Sequence, residues 1–432
     1  MSTRFFVSTI PLFDSQMAVH AYQMVTQDGD KLLGSIDDHR RLGTELLAPE
    51  YEYIREIGVE PLAGSNECFV ELSKYQLLIG MPANFKIPPT NLVCIIDRNT
   101  LYDNAAYAKL GSLKRNGYRL ALKGLPTAMS LETAIDFFDY ILLGYNDEFF
   151  TEDIKTIRPY ITKITLVITD IPDMIDFNRL AGVRNVLLSG GFYSQPITQG
   201  IGEIAPVKIN ALNLMGHINN DDFDLIDAAN TIERDPALSI SLLKFLNALN
   251  PDRSRRIESI RQAVAILGQR EVKKWATVAI SIGIGEDRPS EITRLSLLRA
   301  KFAENLAPAF DMSLQSGTLF ITGLFSMLDV ILQCPMHEAL EEVAAGPEIW
   351  DALISKRGRL YDVLSLIYAY ERADWNGTAI SMVRNGIDVE VLTAAFYDSL
   401  NWYRQLLDAI DDAKNQDDYD DINEEHDILF EE

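Results

Sequence analysis

Four charged residues, Glu71, Asp97, Lys123 and Asp170, lie at or just past the ends of short apolar runs in the first 200 residues. Strand ends are where a β/α barrel keeps its chemistry. Carboxylates gathered there could ligate a hard divalent cation through oxygen, the first requirement of metal-assisted hydrolysis. Lys123 opposes that chemistry, because an ammonium beside the carboxylates repels the metal. The remaining carboxylates lack the charge to retain even one hard cation tightly, so Glu71 and Asp170 read as rim carboxylates of a solvated mouth. The other reactive types are as sparse. The three cysteines, Cys68, Cys94 and Cys334, form no Cys-x-x-Cys pair and no disulfide framework. Cys68 and Cys94 fall inside apolar runs, where a free thiol behaves as a small buried hydrophobe. The five histidines (His20, His39, His217, His337, His426) show no i, i+4 pairing, which leaves a zinc site little support. No metal or cofactor is expected.

The elements that must position these groups alternate in the first half. Strand-like runs occur at Phe5–Pro11, Cys68–Leu72, Leu92–Asp97, Tyr118–Leu122, Tyr140–Gly144, Ile164–Thr169 and Val186–Ser189. Helix-like stretches lie between them at Asp38–Ile57, Asn104–Asn116, Leu131–Phe138 and Asp173–Leu180. Such alternation indicates parallel pairing, and the near-continuous apolar run Ile164–Ile168 suits a sheet covered on both faces. Seven or eight units in roughly 200 residues fit a closed β/α barrel, with a doubly wound open sheet as the alternative. After about Ile201 the pattern is helical throughout. Asp235-Pro236 supplies an N-cap and a first-turn proline, and Leu238, Leu242, Phe245 and Leu249 form a stripe at helical spacing. Ile260, Val264 and Leu267 repeat the stripe, and Gly268 sits where a left-handed C-cap belongs. The reading is α/β plus all-α: a barrel over 1–200, a helical domain over 201–407 and an acidic tail over 408–432.

The whole chain has 432 residues, 47% hydrophobic and 24% charged, with a net charge of −24. That charge argues against nucleic acid as a direct partner, since phosphate binding needs Lys and Arg. The densest basic stretch (Arg253, Arg255, Arg256, Arg261, Lys273-Lys274) reads as solvated helix faces. No apolar run approaches the roughly 20 residues that span a membrane, and Met-Ser-Thr-Arg-Phe-Phe has no secretory pattern, so the expected location is cytoplasmic.

Several runs in order resemble bacterial proteins that pair an EAL domain with an HDOD domain. They include Leu242-Leu243-Lys244-Phe245-Leu246-Asn247, Ser259-Ile260-Arg261-Gln262-Ala263, Arg299-Ala300-Lys301-Phe302-Ala303-Glu304, Phe320 to Asp329, and Ala369-Tyr370-Glu371 before Asp374-Trp375. The resemblance spans Ile10 to about Arg404. It implies a β/α barrel that, in active members, hydrolyses cyclic di-GMP with two divalent metals. It also implies a helical relative of HD phosphohydrolases that lacks metal ligands.

Taken position by position, the family's reactive groups are replaced. The opening Glu-x-Leu-x-Arg pattern becomes Gln23 to Gln27, and the metal-binding Asn becomes Glu71. The third-strand Glu becomes Cys94 or Ile95, depending on register. The paired Asp of the fourth strand become Lys123 and Gly124, and the Lys and Asp of the fifth become Leu142 and Gly144. The Glu-Lys-Val-Glu segment becomes Thr169 to Pro172, and the Gln-Gly-Tyr loop begins at Ser189. The HD pair of the helical domain becomes Ser326-Met327, and His337 reads as a surface residue.

The expectation is a non-catalytic cytosolic signalling or scaffold protein that binds other signalling proteins. The resemblance implies a second-messenger-linked pathway such as motility, pili or biofilm formation, and permits a homodimer. The alternative is a metal-independent cyclic dinucleotide receptor using Lys123, Tyr145 and Phe192. Trp350, Trp375, Phe396, Tyr397, Trp402 and Tyr403 are the aromatics available to a protein interface.

Overall fold

The computed structural model describes residues 5–28, 58–196 and 290–407, with isolated positions at 51, 54, 55, 215 and between 259 and 281. Most of the expected helix at 38–57, the stripe from Leu238 to Leu249 and the acidic tail over 408–432 lie outside the described residues. The chain divides into two compact units, Met1–Gln195 with Leu366–Ala394, and Pro196–Ser365 with Ala395–Glu432. Residues 366–394, read from sequence as part of the helical domain, thus pack with the barrel.

The first unit is a closed eight-stranded barrel in sequential order. Its strands are β1 (Phe5–Phe13), β2 (Val19–Asp28), β3 (Glu67–Glu71) and β4 (Leu92–Asp97). They continue with β5 (Arg119–Lys123), β6 (Tyr140–Gly144), β7 (Thr165–Ile171) and β8 (Val186–Gly190). Strands β2 to β8 pair in parallel, but β1 is antiparallel to both its neighbours. The expectation of parallel pairing throughout fails at β1 because a tight turn joins it to β2. Asp14 accepts hydrogen bonds from the Gln16 and Ala18 amides in that turn, and a two-strand turn this short can only reverse the chain. Strand β2 went unread as a pattern because its polar Gln23, Thr26 and Gln27 break the apolar run.

Side chains from alternate strand positions fill the barrel: Leu12, Ala21, Phe69, Val93, Ile95, Ala121, Tyr140, Leu142, Val167 and Leu187. The interior is therefore a packed core and not a pore. At the strand N-termini, buried Glu67 is held by Arg119 and accepts a 2.5 Å hydrogen bond from the Tyr140 hydroxyl. The outer ring includes α1 (Lys74–Leu78), α2 (Asn104–Arg115), α3 (Leu131–Phe137), α4 (Phe150–Ile157) and α5 (Met174–Ala181). Ser73, Asp103, Ser130 and Asp173 cap α1, α2, α3 and α5, so their own side chains satisfy the first amides of those helices.

Strand β2 pairs with β3 only as far as Gln23 opposite Phe69, so Met24–Asp28 and their β1 partners form a two-stranded ribbon. A ribbon alone is marginal. Here residues from 366–394 brace it. The Val7 amide donates to the Tyr370 hydroxyl, and Phe6 stacks on Trp375 at 5.7 Å.

In the second unit, α6 (Ser290–Leu306) crosses α7 (Ser316–Phe325) at close range. A Cβ on Gly323 would lie 2.6 Å from the Arg299 carbonyl oxygen and 2.7 Å from Ala300 Cα. Helix α7 stops before Ser326-Met327, and α8 (Leu328–Leu332) begins after them. Later in the chain Arg359–Glu371 forms a helix, Trp375–Asn385 forms one within the first unit, and 389–407 is helical. Gly268 has φ +77°, the left-handed conformation expected of it.

Candidate functional site

The C-terminal ends of the parallel strands bring Glu71, Asp97 and Lys123 together. Pairing aligns Glu71 with Ile95, and Asp97 with Lys123, across three neighbouring strands. Lys123 Nζ lies 2.6 Å from Glu71 Oε1, in an ion pair whose two side chains are both more than half exposed. Beside it opens a cavity of about 730 Å³, with Lys74, Gln76, Asn99 and Thr100 in its wall. Lys74 is paired with Asp103 at 2.6 Å, so two of the cavity's cations already hold carboxylates of the chain. The Lys74 bond and the amides of α2 hold the Asp103 carboxyl below the usual carboxylate range. Asp97 accepts from the Asn99 amide and so starts the helical turn Arg98–Tyr102.

The neighbouring position is closed in a different way. Gly124 has φ +82°, a conformation that side-chain-bearing residues rarely adopt, and a Cβ there would sit 3.1 Å from Arg98 Cδ. Arg98 thus leans over the place that the resemblance gives to a second carboxylate. Among the described residues no group of three or more His, Cys, Asp and Glu side chains could hold a metal ion.

The register ambiguity on β4 resolves to Ile95, which packs inside the barrel, while Cys94 faces outward beside the Tyr51 hydroxyl. Burial pushes the Cys94 and Cys68 thiols up to about 12. Leu142 is likewise an interior residue. Gln23 is half-buried opposite Ile10, and Gln27 lies opposite Phe6 on the ribbon. Gly144 pairs with Thr169, whose hydroxyl donates to Asp170. Asp170 is in a β-bulge with φ +63°, and the Pro172 carbonyl accepts from Gln195. Ser189 is buried and donates to the Pro11 carbonyl at 2.9 Å, where β1 meets β8.

The helical unit holds the other pair. Ser326 Oγ donates to the Gly323 carbonyl at 2.6 Å and receives a bond from buried Arg299 at 3.3 Å. Met327 is fully buried. His337 is exposed, as the sequence suggests. Phe192, one of the residues the receptor alternative would use, is buried between Phe13 and Phe177. The Tyr145 hydroxyl is already hydrogen-bonded to Arg179. The aromatics considered for an interface are part-buried in the core: Trp402 meets Phe320, Phe396 meets Phe302 and Trp375 meets Phe6. The sequence reading missed the apolar residues that do reach solvent, because a single tyrosine or isoleucine at a helix start carries no periodic signal.

Residues 204–347 match the HDOD domain. Over 415 residues, covering 94% of this chain and all of the relative, the sequence is 25% identical to the protein YuxH of Bacillus subtilis. Over 405 residues, 93% of each chain, it is 22% identical to the cyclic di-GMP phosphodiesterase CdgJ of Vibrio cholerae. The Xanthomonas citri FimX EAL domain in complex with c-diGMP is 12% identical, with a TM-score of 0.34 over 44% of this chain and 87% of that one. The chain thus joins a closed eight-stranded barrel to a segment, 204–347, that matches the HDOD domain. Among the described residues no helix is long and apolar enough to cross a membrane.

Proposed function

We propose that this chain is a non-catalytic cytoplasmic protein of cyclic di-GMP signalling that acts by binding other signalling proteins. The observation that carries this reading is the Lys123–Glu71 ion pair across the barrel mouth. A hard cation such as calcium takes six to eight oxygen ligands, and magnesium wants a regular octahedron. Beside Lys123 the mouth offers Glu71 and Asp97, and the chain's own ammonium already holds the first. With Arg98 over Gly124, two cationic side chains stand where two-metal hydrolysis needs paired carboxylates. In the helical unit Ser326 and buried Met327 stand where the resemblance places a metal-binding pair, and Ser326 receives a hydrogen bond from Arg299.

A second reading, a metal-free cyclic dinucleotide receptor, draws on the cavity beside Lys123, whose volume suits a ligand of that size. Against it, both lysines of the cavity are paired and Phe192 is buried. Calorimetric titration with cyclic di-GMP, in Mg²⁺ and then in Mn²⁺, separates the two readings. The adaptor reading expects no heat of binding from folded protein. Binding at micromolar ligand makes the mouth a sensor and overturns it.

A further inference from the structure

At the ends of the barrel's strands, apolar exposure is one-sided; elsewhere in the unit Tyr107 on α2 and Ile380, Val383 and Val391 of 366–394 also reach solvent. Tyr75, Tyr102, Phe149 and Ile175 are 53% to 80% exposed. Each follows the C-terminal end of a parallel strand: Tyr75 in α1 after β3, Tyr102 after β4, Phe149 just before α4, and Ile175 in the first turn of α5 after β7. Among the described residues, the loops at the opposite end of the barrel expose no large apolar side chain. Scattered surface apolar residues need no explanation, but four that follow the C-terminal ends of β3, β4, β6 and β7 are grouped around one mouth.

The four residues form two pairs. The Lys74–Asp103 ion pair, at 2.6 Å, ties the turn bearing Tyr75 to the turn bearing Tyr102. On the other side, the Tyr145 amide donates to the Thr169 carbonyl at 2.9 Å, joining the loops that lead to Phe149 and Ile175. Strand β5, with Lys123 at its tip, lies between the pairs.

The charge between and around them is negative. Asp97, Asp147, Glu148 and Asp170 are exposed, and no ion pair to them is found among the described residues. The lysines of this face, Lys74 and Lys123, are neutralised by Asp103 and Glu71, and exposed Arg98 beside Gly124 offsets only one of those four carboxylates. Apolar anchors with uncompensated carboxylates between them complement a segment with apolar residues on one side and Lys or Arg along it. A second copy presenting the same acidic face is repelled, and so is nucleic acid.

We propose that the strand C-terminal face of the barrel docks a basic, amphipathic segment of a partner protein, with Tyr75, Tyr102, Phe149 and Ile175 as apolar anchors. This rests on the reading of the mouth as non-catalytic and names the chemistry of the partner. The test places a benzoyl-phenylalanine photo-crosslinker at Tyr102 and, separately, at Phe149 of the full chain in its native cell. Leu314, which is exposed on the helical unit, is the control position. The proposal expects crosslinks to a protein segment of net positive charge from both rim positions and not from Leu314. It also expects the paired change Asp147→Asn with Glu148→Gln to lower the yield at Phe149 several-fold. Rim crosslinks no stronger than those from Leu314, or crosslinks to an acidic segment, to nucleic acid or to lipid, overturn it. That failure leaves the adaptor reading standing if calorimetry with cyclic di-GMP is silent. Heat in that titration removes the adaptor reading itself.

Discussion

Replacing Gly323 with alanine sets two effects of opposite sign against each other. In an open helix interior the change stabilises by about 1 kcal/mol, through helix propensity and a less flexible unfolded chain. Here the new methyl would lie 2.6 Å from the Arg299 carbonyl oxygen and 2.7 Å from Ala300 Cα, both backbone atoms that no rotamer change can move. Ordinary carbon contacts begin near 3.5 Å, so α6 and α7 must separate by about 0.8 Å. Overpacking of this kind costs about 1–3 kcal/mol, sometimes more. The separation also stretches the buried bond from Ser296 Oγ to the Leu324 carbonyl, now 2.7 Å, at up to about 1–3 kcal/mol. The sum outweighs the propensity gain, and we expect Gly323→Ala to destabilise the helical unit by about 1–5 kcal/mol. Urea unfolding followed by tryptophan fluorescence, to which Trp402 beside Phe320 contributes, reads this. A variant as stable as the parent, or more so, refutes the close crossing.

Three further outcomes follow from the packing. Tyr140→Phe keeps the ring against Phe69 but removes the hydroxyl bound to buried Glu67, and should destabilise the barrel by about 1.5–3 kcal/mol in urea melts. An unchanged midpoint would mean that the bond at the barrel floor is absent. Burial pushes the Cys68 and Cys94 thiols up to about 12 and the Cys334 thiol to about 11, so a disulfide reagent at pH 8 should react with none of them until the fold is opened by denaturant. Burial also raises the Tyr403 phenol to about 12, against Arg294, which lowers it. The folded state therefore holds this proton more tightly than the unfolded chain. Its contribution should be complete below about pH 10 and lost as pH rises to about 12, with ultraviolet titration showing a late-ionising phenol that Tyr403→Phe removes.

The barrel was legible because its strands are buried on both sides and announce themselves as apolar runs, Ile164–Ile168 most clearly. What escaped was β2, whose polar positions hide it, and with it the antiparallel hairpin fixed by the Asp14 turn. The replacement residues were legible by identity, since Lys123 in place of a carboxylate alters the chemistry whatever the register. Their partners were not. That Lys123 would reach Glu71, or Arg98 lean over Gly124, depends on strand pairing between residues far apart in sequence. The packing of 366–394 with the barrel escaped for the same reason, because Tyr370 reaches an amide 363 positions earlier. The apolar rim went unread because it is assembled from single residues in four separate segments.

The central claim is that the mouth, closed by its own lysine, does no hydrolysis. The direct measurement is chromatographic detection of linear dinucleotide after prolonged incubation of the full chain with cyclic di-GMP and saturating Mn²⁺. We expect no product above a protein-free blank. Product that accumulates in proportion to protein, and disappears in Glu71→Gln, would contradict the account.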